Sequence, residues 1–68
     1  MTGKITKING SVIEATFEEG TLPKIDAALK ITTDGKIKYA EIAAHVNERT
    51  VKAVMLSESE GLFVGQSV

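Results

Sequence analysis

Apolar residues alternate with polar ones in short runs along the chain, and turn residues interrupt the runs at regular intervals. Ile13, Ala15 and Phe17 fall on one face of an extended segment, with Glu14 and Thr16 on the other. Val51, Ala53 and Met55 share a face in the same way. Between such runs stand Asn9-Gly10, Glu19-Gly20, Asp34-Gly35, Val46-Asn47-Glu48 and Glu60-Gly61, about 10 to 15 residues apart. Gly10, Gly20, Gly35 and Gly61 are the turn glycines of this pattern. Asn-Gly and Asp-Gly supply the positive φ angles of two-residue hairpin turns, so a turn is expected at Asn9-Gly10 and another at Asp34-Gly35. The pattern predicts strands over residues 4–8, 11–17, 27–33, 36–46 and 49–57, with a short strand ending at Val68. These segments are rich in β-branched residues, which suit a pleated surface. Many short strands at even spacing predict an all-β fold, a small antiparallel barrel or sandwich. Pro23, lacking an N–H, suits a connection and not a central strand.

Some of these strands are apolar on both faces. Val54 and Leu56 lie opposite Val51, Ala53 and Met55, and Ile42 and Val46 oppose Tyr39 and Glu41. Alternate residues point oppositely, so only one set of the fifth segment fills an interior. The other set is left on the wall, either under a long connection such as residues 18–25 or against a partner.

Residues 39–55 also admit a helical reading. They are rich in alanine and glutamate, and Glu48 and Lys52 stand at i,i+4. As helices they resemble a helix-turn-helix nucleic-acid-binding module, the alternative to the barrel. The turn at Asn47, Glu48 and Arg49 is short for that motif, and Arg49 and Lys52 beside Glu48 make a poor footprint for phosphates.

Length and composition narrow the function. Sixty-eight residues make one domain, residues 1–68, and a chain this short hides only about 60% of its unfolded surface. Hydrophobic residues make up 43%, enough for an aliphatic core. The absence of cysteine removes disulfides and thiolate metal sites, and a net charge of −1 lacks the basic surplus of a nucleic-acid binder. No apolar run reaches the roughly 18 residues of a membrane span, and no signal-peptide pattern opens the chain. Catalytic, metal and cofactor residues are not found. His45, the single histidine, has no positioned partner other than Glu41, about two pleats away on the same strand face. The segment 61–65 lacks the Lys-Ser/Thr that completes a phosphate loop. Asn9-Gly10-Ser11 reads as a turn before it reads as a glycosylation sequon, and Glu58 and Glu60 read as a solvated loop.

A resemblance adds to this reading. Gly3-Lys4-Ile5 with Ile8, Gly10, Val12-Ile13 and Phe17 resembles the opening of the F-type ATP synthase β subunit. Leu22-Pro23-Lys24-Ile25 with Ala28-Leu29, Glu41-Ile42 with His45, Val51-Lys52-Ala53-Val54, and Glu60-Gly61-Leu62 with Gly65 and Val68 follow that family's later motifs in order. Two positions depart from it: Val64 stands where the family usually has arginine, and Asn47 where it has glycine. Asparagine tolerates the left-handed conformation, so the turn at Asn47 is expected to survive.

The resemblance implies a small six-stranded closed antiparallel barrel, the N-terminal crown domain. In that family such barrels from α and β subunits join in a ring and bind no nucleotide. It implies a non-catalytic assembly role without cofactors, and neighbouring α and β barrels as partners. A homo-oligomer is possible when the domain is isolated; nucleic acid and membrane insertion are not expected. The implied location is the cytoplasmic, matrix or stromal face of an energy-transducing membrane, not the secreted space. The chain is expected to be an excised or engineered domain, or a relative reduced to its barrel. Val54, Leu56, Phe63 and Val64 are the candidate contact residues.

Overall fold

The computed structural model describes residues 3–18, 20 and 22–68. Five strands form one antiparallel sheet: β1 (Gly3–Asn9), β2 (Val12–Phe17), β3 (Ala28–Thr33), β4 (Lys36–His45) and β5 (Thr50–Met55). Their spatial order is β1-β2-β5-β4-β3. The strand nearest the middle of the chain's own hairpins is therefore not the middle of the sheet: β5 inserts between β2 and β4.

Alternation drives this arrangement. Ile13, Ala15 and Phe17 from β2 and Val51, Ala53 and Met55 from β5 are buried, as are Ile5, Leu29, Ile31, Ala40 and Ile42. Together they form a single core, with Ile8, Leu22, Ala27, Leu62 and Val68 packed at its margin. Each fully buried aliphatic side chain contributes about 1.5–3 kcal/mol relative to exposure.

Residues 39–55 are β4, a turn and β5, not two helices. The helical reading gives way because Ala40 and Ile42, and Val51 and Ala53, face the core at a spacing of two, interrupted by the β4 bulge and the turn. Cross-strand burial overrides the modest helix propensity of alanine and glutamate.

Two bulges bend the sheet. In β1 the register shifts between Ile5 and Lys7, so that Ile5 and Ile8 both face inward although an odd number of residues apart. In β4 the shift falls between Ile42 and Ala44. β4 pairs with β3 through residues 36–41 and with β5 through residues 40–45. One strand thus serves two neighbours along different halves and curls the sheet.

Six closed strands were expected, and among the described residues five in an open half-barrel are found. The segment before Val68 forms an isolated bridge, Lys4 to Ser67, in place of a sixth strand. Gly65 N donates to Ile5 O (2.7 Å), Ile5 N to Gln66 O (2.8 Å), and Val68 N to Gly3 O (2.9 Å), so this tail lies on β1. Toward β3 the link is a side chain: buried Gln66 donates from Nε2 to Thr32 O at 3.2 Å. The seam between tail and β3 is stitched by an amide side chain where a backbone ladder would close a barrel.

Candidate assembly surface

The hairpin turns set which residues face out. Thr33 pairs with Lys36 around Asp34-Gly35, whose φ angles of 50° and 75° are both positive, as a type I′ turn requires. The first hairpin differs from expectation. Asn9 pairs with Val12, so the loop is Gly10-Ser11, and of its two residues only Gly10 has positive φ, 62°. That is the φ pattern of a type II′ turn, one residue later than Asn9-Gly10. Gly20 and Gly61 also have positive φ, as do Gly65 and Asp26, which the pattern of glycines did not single out. Glu19 lies outside the described residues.

With the register fixed, β5 turns Val51, Ala53 and Met55 inward and Lys52 and Val54 outward, and Leu56 just after it is exposed. Val54, 39% exposed, stands between Val12 of β2 and Glu41 of β4. Leu56, 65% exposed, donates its backbone N–H to Tyr39 O at 3.0 Å. Tyr39 and Ile37 are outward on β4 and exposed as well. The result is an apolar wall patch of Val54, Leu56, Tyr39 and Ile37. Sequence reading named the first two. The same alternation that points Glu41 outward points Tyr39 and Ile37 outward too, a signal present but not followed. In the connection after β2, Leu22 packs against the core.

Phe63 and Val64 stand elsewhere, in the loop between β5 and the tail, and both are exposed. That loop is fastened to β3 and β4. Lys38 Nζ donates to the carbonyls of Glu58 (2.8 Å) and Glu60 (2.6 Å), and Thr33 Oγ1 donates to Gly61 O (3.0 Å). Leu62 N closes a turn on Ser59 O at 3.1 Å while the Leu62 side chain packs on the core. Phe63 N donates to Gln66 Oε1 at 3.2 Å. Phe63 also lines a shallow groove of about 440 Å³ along the seam, with Lys30, Thr32, Gln66 and Val68 among its walls. The structure therefore holds the four candidate contact residues as two separate pairs.

The remaining candidates resolve into structural roles. His45 pairs with Val51, on the inward side, whereas Glu41 pairs with outward Val54. The β4 bulge separates their faces, correcting the expectation that they share one. His45 Nε2 instead donates to Pro23 O at 2.7 Å and holds the β2–β3 connection across the end of the sheet. Glu58 and Glu60 engage Lys38 through backbone carbonyls, not through carboxylates. Among the described residues no group of three or more His, Cys, Asp or Glu is placed to hold a metal ion.

Three comparisons bear on what such a surface serves. Residues 5–68 match the family described as ATP synthase alpha/beta family, beta-barrel domain. The chain is 45% identical over 67 residues to ATP synthase subunit beta 3 of Paraburkholderia xenovorans (strain LB400), covering 97% of this chain and 14% of that protein. Among solved structures it is similar to the assembled ATPase EscN from the enteropathogenic E. coli type III secretion system, in complex with its central stalk EscO: TM-score 0.73, 26% identity, 94% of this chain and 14% of that one. A second structure of the assembled ATPase EscN gives a TM-score of 0.71 at the same identity and the same coverage, 94% and 14%.

Proposed function

From the premise that this chain belongs to the ATP synthase alpha/beta family and is its β-barrel domain, we propose that it is a non-catalytic assembly domain. Its partners are the neighbouring barrel domains of ATP synthase α and β subunits. The observation that carries this reading is the division of apolar side chains. One set fills the core, while Val54, Leu56, Phe63 and Val64 remain exposed on the surface. Exposed apolar side chains gathered in patches mark contact surfaces, and here they fall in two pairs.

The chain spans 14% of the length of the relatives it matches. In this reading the tail is the sixth strand of the barrel, with Gln66 spanning the seam that a backbone ladder would close. The complex it serves is peripheral to an energy-transducing membrane, on its cytoplasmic, matrix or stromal face. The domain itself inserts into no bilayer and takes no cofactor.

Sedimentation analysis of this chain mixed with the N-terminal barrel domain of an ATP synthase α subunit tests the proposal. Association is expected. Val54→Ser with Leu56→Ser should leave the melting transition in place and weaken that association. Wild-type chain that sediments as a monomer beside α and β barrels alike would overturn the assembly role.

A further inference from the structure

The chain has two asparagines, Asn9 and Asn47, and both are exposed. Their surroundings differ at the atoms that decide how long a carboxamide survives. Asn47 is followed by Glu48, and its Oδ1 accepts the Arg49 N–H at 2.9 Å. Asn9 is followed by Gly10, where nothing lies within 4 Å of the position a Cβ would take. Gly10 sits in the two-residue loop beyond the last ladder pair, and among the described residues no backbone carbonyl accepts its N–H. A reacting pair is therefore in place at one asparagine only. It consists of a carboxamide carbon and, on the next residue, an unclaimed backbone nitrogen that no side chain shields.

We propose that Asn9 is a site of self-modification, in which the Gly10 nitrogen attacks the Asn9 carboxamide and water completes its change to a carboxylate. The Gly10 N–H first gives its proton to hydroxide or a buffer base. The nitrogen then bonds to Asn9 Cγ, the Cγ–Nδ2 bond breaks, and Nδ2 leaves as ammonia with a proton from solvent. The product is a cyclic imide, which water opens at either of its carbonyl–nitrogen bonds. Opening at Cγ leaves aspartate in the original main chain. Opening at the main-chain carbonyl leaves isoaspartate, whose main chain runs through Cβ and Cγ and is longer by a methylene. Nothing is oxidised or reduced, and water is the only co-reactant. The attack needs Asn9 to rotate about ψ. Asn9 and Val12 form the last pair of the β1–β2 ladder, so the opening is confined to the end of the hairpin.

Position gives the change a consequence. Across the outer face Asn9 pairs with Val12, Val12 with Val54, and Val54 with Glu41. A carboxylate at residue 9 adds negative charge to the row that holds Val54. The loop is also tied to β5, because Ser11 O accepts the Met55 N–H at 2.7 Å. Aspartate keeps that geometry. The added methylene of isoaspartate does not fit a two-residue turn and strains the Met55 bond. None of this depends on the assembly reading.

Tryptic peptides separate the two asparagines, since residues 8–24 carry Asn9 and residues 39–49 carry Asn47. Folded chain held in mildly alkaline buffer should convert peptide 8–24 into aspartyl and isoaspartyl isomers, resolved by chromatography and mass spectrometry. Asn9 should react faster than Asn47 by about tenfold or more. Its rate should rise with hydroxide concentration, because the deprotonated amide is the nucleophile. An Asn9 that survives in the folded chain would overturn the proposal, whether or not it converts in denaturant. Equal rates at Asn9 and Asn47 would overturn it as well. Amide exchange on the purified isoaspartyl form tests the consequence. Its Met55 N–H should exchange faster than in the Asn9→Asp variant, and equal protection in the two would overturn the link to β5.

Discussion

Two glycines in this chain are required for different physical reasons, and mutation separates them. At Gly3 the issue is space: a Cβ there would lie 2.6 Å from Phe17 Cε2, on a ring that is 3% exposed. Gly3→Ala should therefore destabilise the domain by about 1–3 kcal/mol, the cost of overpacking a core. Pairing it with Phe17→Leu should give less than the sum of the two losses. At Gly10 nothing lies within 4 Å of the missing Cβ, and the requirement is the φ of 62°. Gly10→Val should cost more than about 1 kcal/mol by strain alone, and it should be additive with Phe17→Leu. Denaturant titration of the single and double variants checks both, and additivity at Gly3 would rule out the close contact. The need for Gly10 was legible in the sequence, although the turn type was not: Asn-Gly favours type I′, and the pairing of Asn9 with Val12 selects type II′ instead. Gly3 was not legible, because a clash with Phe17 depends on the register of β1 against β2.

At the scale of elements, alternation located all five strands to within a few residues, since a buried face imposes a period of two that survives in the sequence. It missed the bulges. Each inserts one residue and inverts the faces beyond it, which is why Glu41 and His45 were assigned to the same side and are not. Closure was equally hidden. Whether the tail pairs with one neighbour or two depends on its distance from β3, and no local pattern encodes that distance. The side chain that spans the seam gives a test. Gln66 both donates to Thr32 O and accepts from Phe63 N. Gln66→Leu leaves those part-buried groups unpaired, at a cost of about 1–3 kcal/mol. The loss should be local first: amide exchange should accelerate at residues 66–68 while β2 and β5 stay protected. Exchange that rises uniformly across the sheet would mean the seam is not an independent weak point.

For the molecule as a whole, the sequence carried the family through ordered motifs, and alternation with turn spacing carried only an all-β domain. The candidate contact surface was half legible: alternation isolates Val54 and Leu56, but the separation of Phe63 and Val64 from them is a property of the topology. The glycine-bearing loop near the tail bears on the last expectation, that this chain neither binds nor hydrolyses ATP. A phosphate cradle works by aiming several free backbone N–H groups at one anion. In residues 62–66 four of the five donors are committed. Leu62 N goes to Ser59 O, Phe63 N to Gln66 Oε1, Gly65 N to Ile5 O and Gln66 N to Phe63 O, at 2.7–3.2 Å. Freeing them would undo the turn and lift the tail from β1. Lys38, the nearest cation fastened to this loop, is spent on the carbonyls of Glu58 and Glu60. Calorimetry with ATP and magnesium should show no saturable heat, and phosphate release should match the buffer. Micromolar, magnesium-dependent binding would mean that the loop opens to a ligand its own hydrogen bonds exclude.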